Sequence, residues 1–107
     1  MVHGCPRSAC PQISFDGIEA LRVRNHGTVG PLVLDNASTS VHFEFLNSSG
    51  HRHQIWFDNP ATLAAKYAWA AKAGLRGVGI FETTMIARCS KESMAAMWEA
   101  LRYFKVE

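Results

Sequence analysis

The chain reads as an α/β protein in which a short helix and a β-hairpin lead into a strand–helix–strand–helix succession. Three observations predict this. Residues 53–57, His-Gln-Ile-Trp-Phe, form an aromatic and β-branched run that stops at Asp58-Asn59-Pro60, where Asn59 suits a helix cap and Pro60 the first helical position. From Pro60 to Ala73 good helix formers dominate and glycine is absent, and Gly74 follows where a left-handed C-terminal residue is wanted. Leu75 to Phe81 is a second apolar segment, and a strand–helix–strand of this length predicts a right-handed crossover joining parallel strands.

Taken in order, residues 1–12 hold Pro6, Pro11, Gly4, Cys5 and Cys10 and read as an irregular segment in which the two cysteines can pair with each other. Between Ile13 and Arg24 the placing of Ile13, Phe15, Ile18 and Leu21 predicts a short amphipathic helix, weakened by Gly17 and ended by His26-Gly27. Thr28 to Leu34 contains Gly30 and Pro31 and suits a loop better than a central strand. Val41 to Leu46 alternates apolar and polar residues, Asn47-Ser48-Ser49-Gly50 is a turn, and with residues 53–57 they predict a hairpin. Beyond the central unit, Glu82 to Cys89 is a connection and Ser90 caps a last helix running to about Phe104. Met94, Met97, Trp98, Leu101 and Phe104 share one face of it, which is built to lie on a sheet.

At 107 residues the chain is long enough for one small domain, and its composition is that of a globular protein. The net charge of +2 comes from scattered lysines and arginines with no basic cluster, so nucleic acid is not an expected partner. No apolar run approaches the roughly 18 residues that span a bilayer, and the first ten residues contain no apolar signal core. Neither membrane insertion nor an export signal is expected within these residues. Asn36-Ala37-Ser38 and Asn47-Ser48-Ser49 are nonetheless glycosylation sequons in polar surroundings, and Cys5, Cys10 and Cys89 leave one thiol over after one pairing. Both features would be explained if the chain were the C-terminal part of a longer secretory-pathway protein.

The stretch H-Q-I-W-F-D-N-P, then a helix, then G-L-R-G-V-G-I-F and a helix containing M-W-E-A-L, resembles the C-terminal end of family 18 glycoside hydrolases, most nearly the lysosomal di-N-acetylchitobiase branch. The resemblance is specific from about Gly50 to Leu101 and looser upstream. It implies a partial (β/α)8 barrel: residues 53–57 as strand seven, 61–73 as helix seven, 76–81 as strand eight and 90–104 as helix eight. The whole chain, residues 1–107, would then be roughly the last third of such a domain. It also implies hydrolysis of β-linked N-acetylglucosamine oligosaccharides by a substrate-assisted route, in which a glutamic acid at the end of a D-x-x-D-x-D-x-E strand protonates the leaving oxygen. No acidic residue of this chain falls at that spacing, so the chain by itself is expected to be inactive.

In substrate binding, the resemblance places Phe81 where the family usually has a tryptophan stacking under the reacting sugar. Phenylalanine keeps the apolar plane and loses area and the indole N–H. Glu82 stands where the chitobiase pattern has asparagine. Trp56 and Asp58 match a W-Y-D-N-P region at the same end of the barrel, with Phe57 in place of tyrosine. Each has a plainer reading. Phe81 suits a core position at a strand end, Trp56 a site buried between strand and helix, and Asp58 a helix-start turn that favours an acid. Tyr67, Trp69 and Trp98 lie in helices as packing or surface residues. His42, His51 and His53 flank one turn without the spacing of a metal site, and no cofactor is expected. There is no G-x-S-x-G, phosphate-binding loop or G-x-G-x-x-G.

The expected function is therefore that of a portion of a chitobiase-like glycosidase, lysosomal or secreted as a whole, whose partner is an N-acetylglucosamine oligosaccharide. The alternative is a non-catalytic sugar-binding or protein-interaction module that associates with itself through open strand edges.

Overall fold

The structure is a computed structural model that describes residues 12–80 and 89–105. Its first helix, α1, spans Phe15–Arg24. Ser14 starts it by accepting the Gly17 N–H at 3.2 Å, Asp16 in the first turn complements the helix dipole, and the Asn25 side chain donates to the Leu21 carbonyl at the far end. The predicted helix is there, with Ile13 left outside it.

Three antiparallel strands come next: β1 (Val33–Asp35), β2 (Ser40–Leu46) and β3 (Arg52–Phe57), in the order β1-β2-β3. The β2–β3 hairpin forms as expected, with Phe43 opposite Ile55 and His42 opposite Trp56. Asn47 closes its turn, its side-chain oxygen accepting the N–H groups of Ser49 and His51 at 2.9 Å each. The loop expected at 28–34 ends in a strand instead. Pro31 lacks an N–H and keeps its neighbourhood out of a central position, yet β1 begins two residues later and needs only one paired edge. Just before it, Gly30 donates to the Glu44 carbonyl at 2.8 Å, and the Thr28 hydroxyl donates to the Leu46 carbonyl at the same distance.

Period-two alternation turns Val41, Phe43 and Phe45 of β2 to one side of the sheet, where α1 lies. Ile18 of α1 packs there with Phe43 and Phe45, and Leu21, Val29, Ile55 and Phe57 close around them. Phe43 is 1% exposed, the most enclosed large side chain of the described residues, with Phe57 edge-on at 5.9 Å and the Arg22 guanidinium 5.5 Å above its ring.

Helix α2 spans Pro60–Lys72 and starts where the sequence indicates. Asn59 accepts the Thr62 N–H and Thr62 accepts the Asn59 N–H, both at 2.9 Å, a reciprocal cap. It ends on Gly74 at φ 80°, with Leu75 N–H bonded to the Ala70 carbonyl and Gly74 N–H to that of Ala71. This is the left-handed glycine stop that the position of Gly74 suggests. Helix α3 (Lys91–Glu99) is capped by Ser90 and tightens into a 3-10 turn over Ala100–Tyr103 that packs on α2. Tyr67 and Ala70 are buried on α2, and Met97 and Ala100 on the opposing segment. The expected face is shifted here: Met97 and Ala100 turn inward while Trp98 is exposed. Glu19 of α1 accepts the Ser93 hydroxyl at 2.5 Å and ties the two layers together.

Two expectations are corrected. The crossover to a parallel strand is not formed among the described residues, since residues 75–80 carry no strand pairing and all observed pairing is antiparallel. Likewise β3, expected as a barrel strand, is paired among the described residues with β2 alone, and antiparallel. A strand-like sequence becomes a strand only beside a partner, and a Cβ built on Gly77 or Gly79 meets no atom within 4 Å.

If the α1–sheet contact is the main core, Phe43→Ala lowers unfolding free energy by roughly 3–5 kcal/mol. Asn59→Ala lowers it by only about 1 kcal/mol. Urea denaturation followed by circular dichroism measures both, and equal losses would place the stability elsewhere.

Candidate functional site

The face of the sheet turned away from α1 carries the sequence-predicted residue that the structure exposes most usefully. Ile55 and Phe57 point into the core, so alternation sends Trp56 to the other face, where it is 46% exposed. The reading of Trp56 as buried between strand and helix is thereby overturned. Its ring is held firmly all the same. His42, directly across the ladder, stacks on it with centroids 4.1 Å apart and planes 23° from parallel. Gln54, two residues back on the same face, accepts the indole N–H at 2.9 Å. Glu44 lies opposite Gln54, and Arg52 reaches its carboxylate at 3.9 Å. His42 and Gln54 are the residues that sequence reasoning missed as parts of this site; the hairpin register alone pairs them with this face.

Asp58 sits apart from that surface. Its Oδ1 accepts the Lys66 ammonium at 2.7 Å and the Thr62 hydroxyl at 3.0 Å, and Lys66 also donates to Ser40 at 3.3 Å. These contacts make Asp58 an anchor for the start of α2, as its plainer reading had it. The spacing Asp58, Thr62, Lys66 at successive fours was a signal for this ladder. Burial first, and then the charge of Asp58, raise the pKa of the Tyr67 hydroxyl. Phe81 and Glu82 lie outside the described residues.

The two sequons differ in geometry. Asn36 is exposed in the turn between β1 and β2, whereas the Asn47 carboxamide is engaged on both sides, by the turn N–H groups and by His53 at 3.0 Å. His53 stacks on Phe45 on the α1 side of the sheet while His42 stacks on Trp56 on the other, so the ladder separates these two histidines. Among the described residues no three His, Cys, Asp or Glu side chains gather as a metal site. Cys89 has no disulfide partner among the described residues; burial first, then the charges of Glu19 and Asp16, push its thiol pKa up and disfavour the nucleophilic thiolate. A cleft of about 550 Å³ lies beside α1 at Glu19, Arg22 and His26, and it contains none of the predicted site residues. No helix of the described residues is long and apolar enough to cross a membrane. Chemically, the exposed sheet face offers a fixed aromatic plane with a polar rim, which is equipment for holding a flat ligand.

In fold, the chain matches part of a chitinase from Chromobacterium violaceum, with a TM-score of 0.67 and 23% identity over 86% of this chain and 26% of that one. In sequence, it is di-N-acetylchitobiase-like. It is 38% identical over 79 residues to probable di-N-acetylchitobiase 1 of Dictyostelium discoideum, a match covering 72% of this chain and 21% of that protein. It is 31% identical to rat di-N-acetylchitobiase over 110 aligned positions, covering 88% of this chain and 30% of the relative. The mouse di-N-acetylchitobiase is 26% identical over 102 residues, covering 92% and 27% respectively. The resemblance in the amino-acid sequence is therefore shown, and the chain spans about a fifth to just under a third of the length of these relatives. No family model matches the chain.

At the Asn36 turn, Asp35 accepts the Ser38 hydroxyl at 2.6 Å and the Ser38 N–H at 2.9 Å, and in that order these bonds hold its carboxyl below the usual carboxylate range. A depressed pKa in the folded chain means that the turn contact is present at neutral pH and lost as acid protonates Asp35 through that lowered value. In an NMR titration the Ser38 amide should move upfield on acidification with a midpoint below that of an ordinary aspartate. Ser38→Ala should raise the midpoint, measured on the Asp35 carboxyl carbon; an unchanged value would remove the hydroxyl as the cause.

Proposed function

We propose that this chain is a portion of a chitobiase-like glycosidase, and that the complete protein hydrolyses N-acetylglucosamine-containing oligosaccharides such as the chitobiose core of glycans. One observation carries the reading: the similarity to di-N-acetylchitobiases runs along most of this chain and over only a fraction of theirs. In this reading α2, residues 75–81 and α3 belong to a partial (β/α)8 barrel. The antiparallel sheet lies beside that barrel, because barrel staves run parallel. Phe81, which follows residues 75–80 in the sequence, takes the position of the stacking tryptophan in the reacting subsite, with Trp56 as a further sugar contact. Asp58 supports the site through the helix start, since its Oδ1 is already held by Lys66 and Thr62. The parent protein is lysosomal or secreted, which accords with the sequons at Asn36 and Asn47.

The chain contains no acid at the D-x-x-D-x-D-x-E spacing, so it lacks the group that protonates the leaving oxygen. A non-catalytic role has its own support in the outer edge of β3, unpaired among the described residues, and in the exposed Trp69, Leu75 and Trp98. That surface favours self-association, visible as a concentration-dependent mass in sedimentation.

The purified chain should release no sugar or chromophore from a chitobiose analogue. Turnover above the uncatalysed rate, retained through an independent purification, would overturn the assignment of the missing acid.

A further inference from the structure

The Trp56 indole has two faces, and the sheet treats them differently. Side chains stand perpendicular to a sheet, so the His42 imidazole, stacked at 4.1 Å from the neighbouring strand, covers the face turned toward β2. The other face looks outward from β3, which is the last strand of the sheet and has no neighbour on that side among the described residues. We propose that this outer face is a stacking platform for one N-acetylhexosamine ring of an oligosaccharide approaching along the open edge of β3. The proposal deepens the function given above and rests on its substrate class.

Several features favour a sugar over a protein segment. The platform is one indole wide, and along β3 it is bordered by Gln54 and Arg52 rather than by further apolar side chains. A single ring does not provide the roughly 1,000 Å² that a specific protein partner buries, whereas a pyranose is about the size of an indole and presents one apolar C–H face to it. Polar neighbours suit the remaining edge of such a ring. Glu44 supplies carboxylate oxygens and Arg52 guanidinium N–H groups, joined to each other only at 3.9 Å and both well exposed. The platform is also pre-organised. With its N–H held by Gln54 at 2.9 Å and one face on His42, the indole loses little rotational freedom when a ligand stacks on the other. Trp69 is more exposed, at 66%, but it lies on α2, and no ring stacks against it among the described residues.

The test uses the full chain, labelled with nitrogen-15, titrated with N,N′,N″-triacetylchitotriose and read at the tryptophan indole N–H signals, with that of Trp56 assigned through Trp56→Phe. The expected result is a saturable movement of the Trp56 signal and the Gln54 side-chain amide, with the Trp69 and Trp98 signals still. Trp56→Ala should weaken binding about tenfold, as loss of one aromatic stack does, while Trp69→Ala leaves it unchanged. Trp56 is outside the core, and the spread of backbone signals in each variant reports folding directly. His42→Ala keeps the outer face and removes only the support, so its loss should be smaller. Movement centred on Trp69 or Trp98, equal movement with maltotriose, unaltered binding in Trp56→Ala, or no movement at all would each overturn the platform. None of these outcomes bears on whether the chain turns over a chitobiose analogue, so failure here and failure of the glycosidase reading are distinguishable.

Discussion

The pleat of the β2–β3 hairpin is the constraint on which the rest of the described structure depends. With Phe43 set opposite Ile55, the buried apolar side chains of the hairpin fall on the α1 side, and Ile18 completes a core around them. The same register sends His42, Glu44, Gln54 and Trp56 to the opposite face. Core and candidate binding surface are thus two consequences of a single pairing. A slip of β2 by one residue would turn that strand over, burying Glu44 beneath α1 while exposing Phe43 and Phe45. Burial penalises that alternative heavily, and the turn closed by Asn47 penalises it again.

The second layer answers to local chemistry more than to the sheet. Asn59 and Thr62 cap each other, Asp58 pairs with Lys66 two turns further along, and Gly74 ends the helix in the left-handed conformation that other residues resist. A half-exposed pair like Asp58–Lys66 contributes little net stability, about 1 kcal/mol or less. Its importance is positional: with Ser40 also bonded to Lys66, it fixes the start of α2 against the beginning of β2. This is why a carboxylate that the resemblance offered to a sugar hydroxyl is occupied within the fold. Asp58 can influence a ligand by orienting the helix, and its Oδ1 is committed.

How much of this could be read beforehand depended on the range of the interaction. The start and stop of α2, the hairpin and the cap of α3 are set by residues three or four apart, and Asn59, Pro60, Gly74 and Ser90 announce them. Trp56 showed where reading a residue alone fails. Its size argued for burial, whereas its side of the strand is decided by Ile55 and Phe57, which are no less apolar and meet a helix. Strand β1 was hidden because Gly30 and Pro31 announce a loop, and only the free edge of β2 draws Val33, Leu34 and Asp35 into a ladder. The segment after Gly74 failed in the opposite way. Its β propensity is real, but pairing is a property of two segments, and no described one lies beside it.

That asymmetry links the unpaired segment to the open sheet. Among the described residues β3 has one edge bonded to β2 and another without a paired strand, and residues 75–80 have polar backbone groups outside any ladder. Backbone N–H and C=O groups are satisfied by water at a surface and by other chain in an interior. The present arrangement is therefore sustainable only while both stretches stay wet. The chain matches di-N-acetylchitobiases over a fifth to a third of their length, and any further chain laid against residues 75–80 would cover them. Burial there would stabilise Leu75 and the 75–80 backbone, because apolar area and ladder bonds would be gained together. The Trp56 face differs in kind: its polar rim of Gln54, Glu44 and Arg52 would be left unpaired under an apolar cover. Desolvation thus separates the two regions, favouring protein against the unpaired segment and keeping the indole platform open to a hydroxyl-rich ligand.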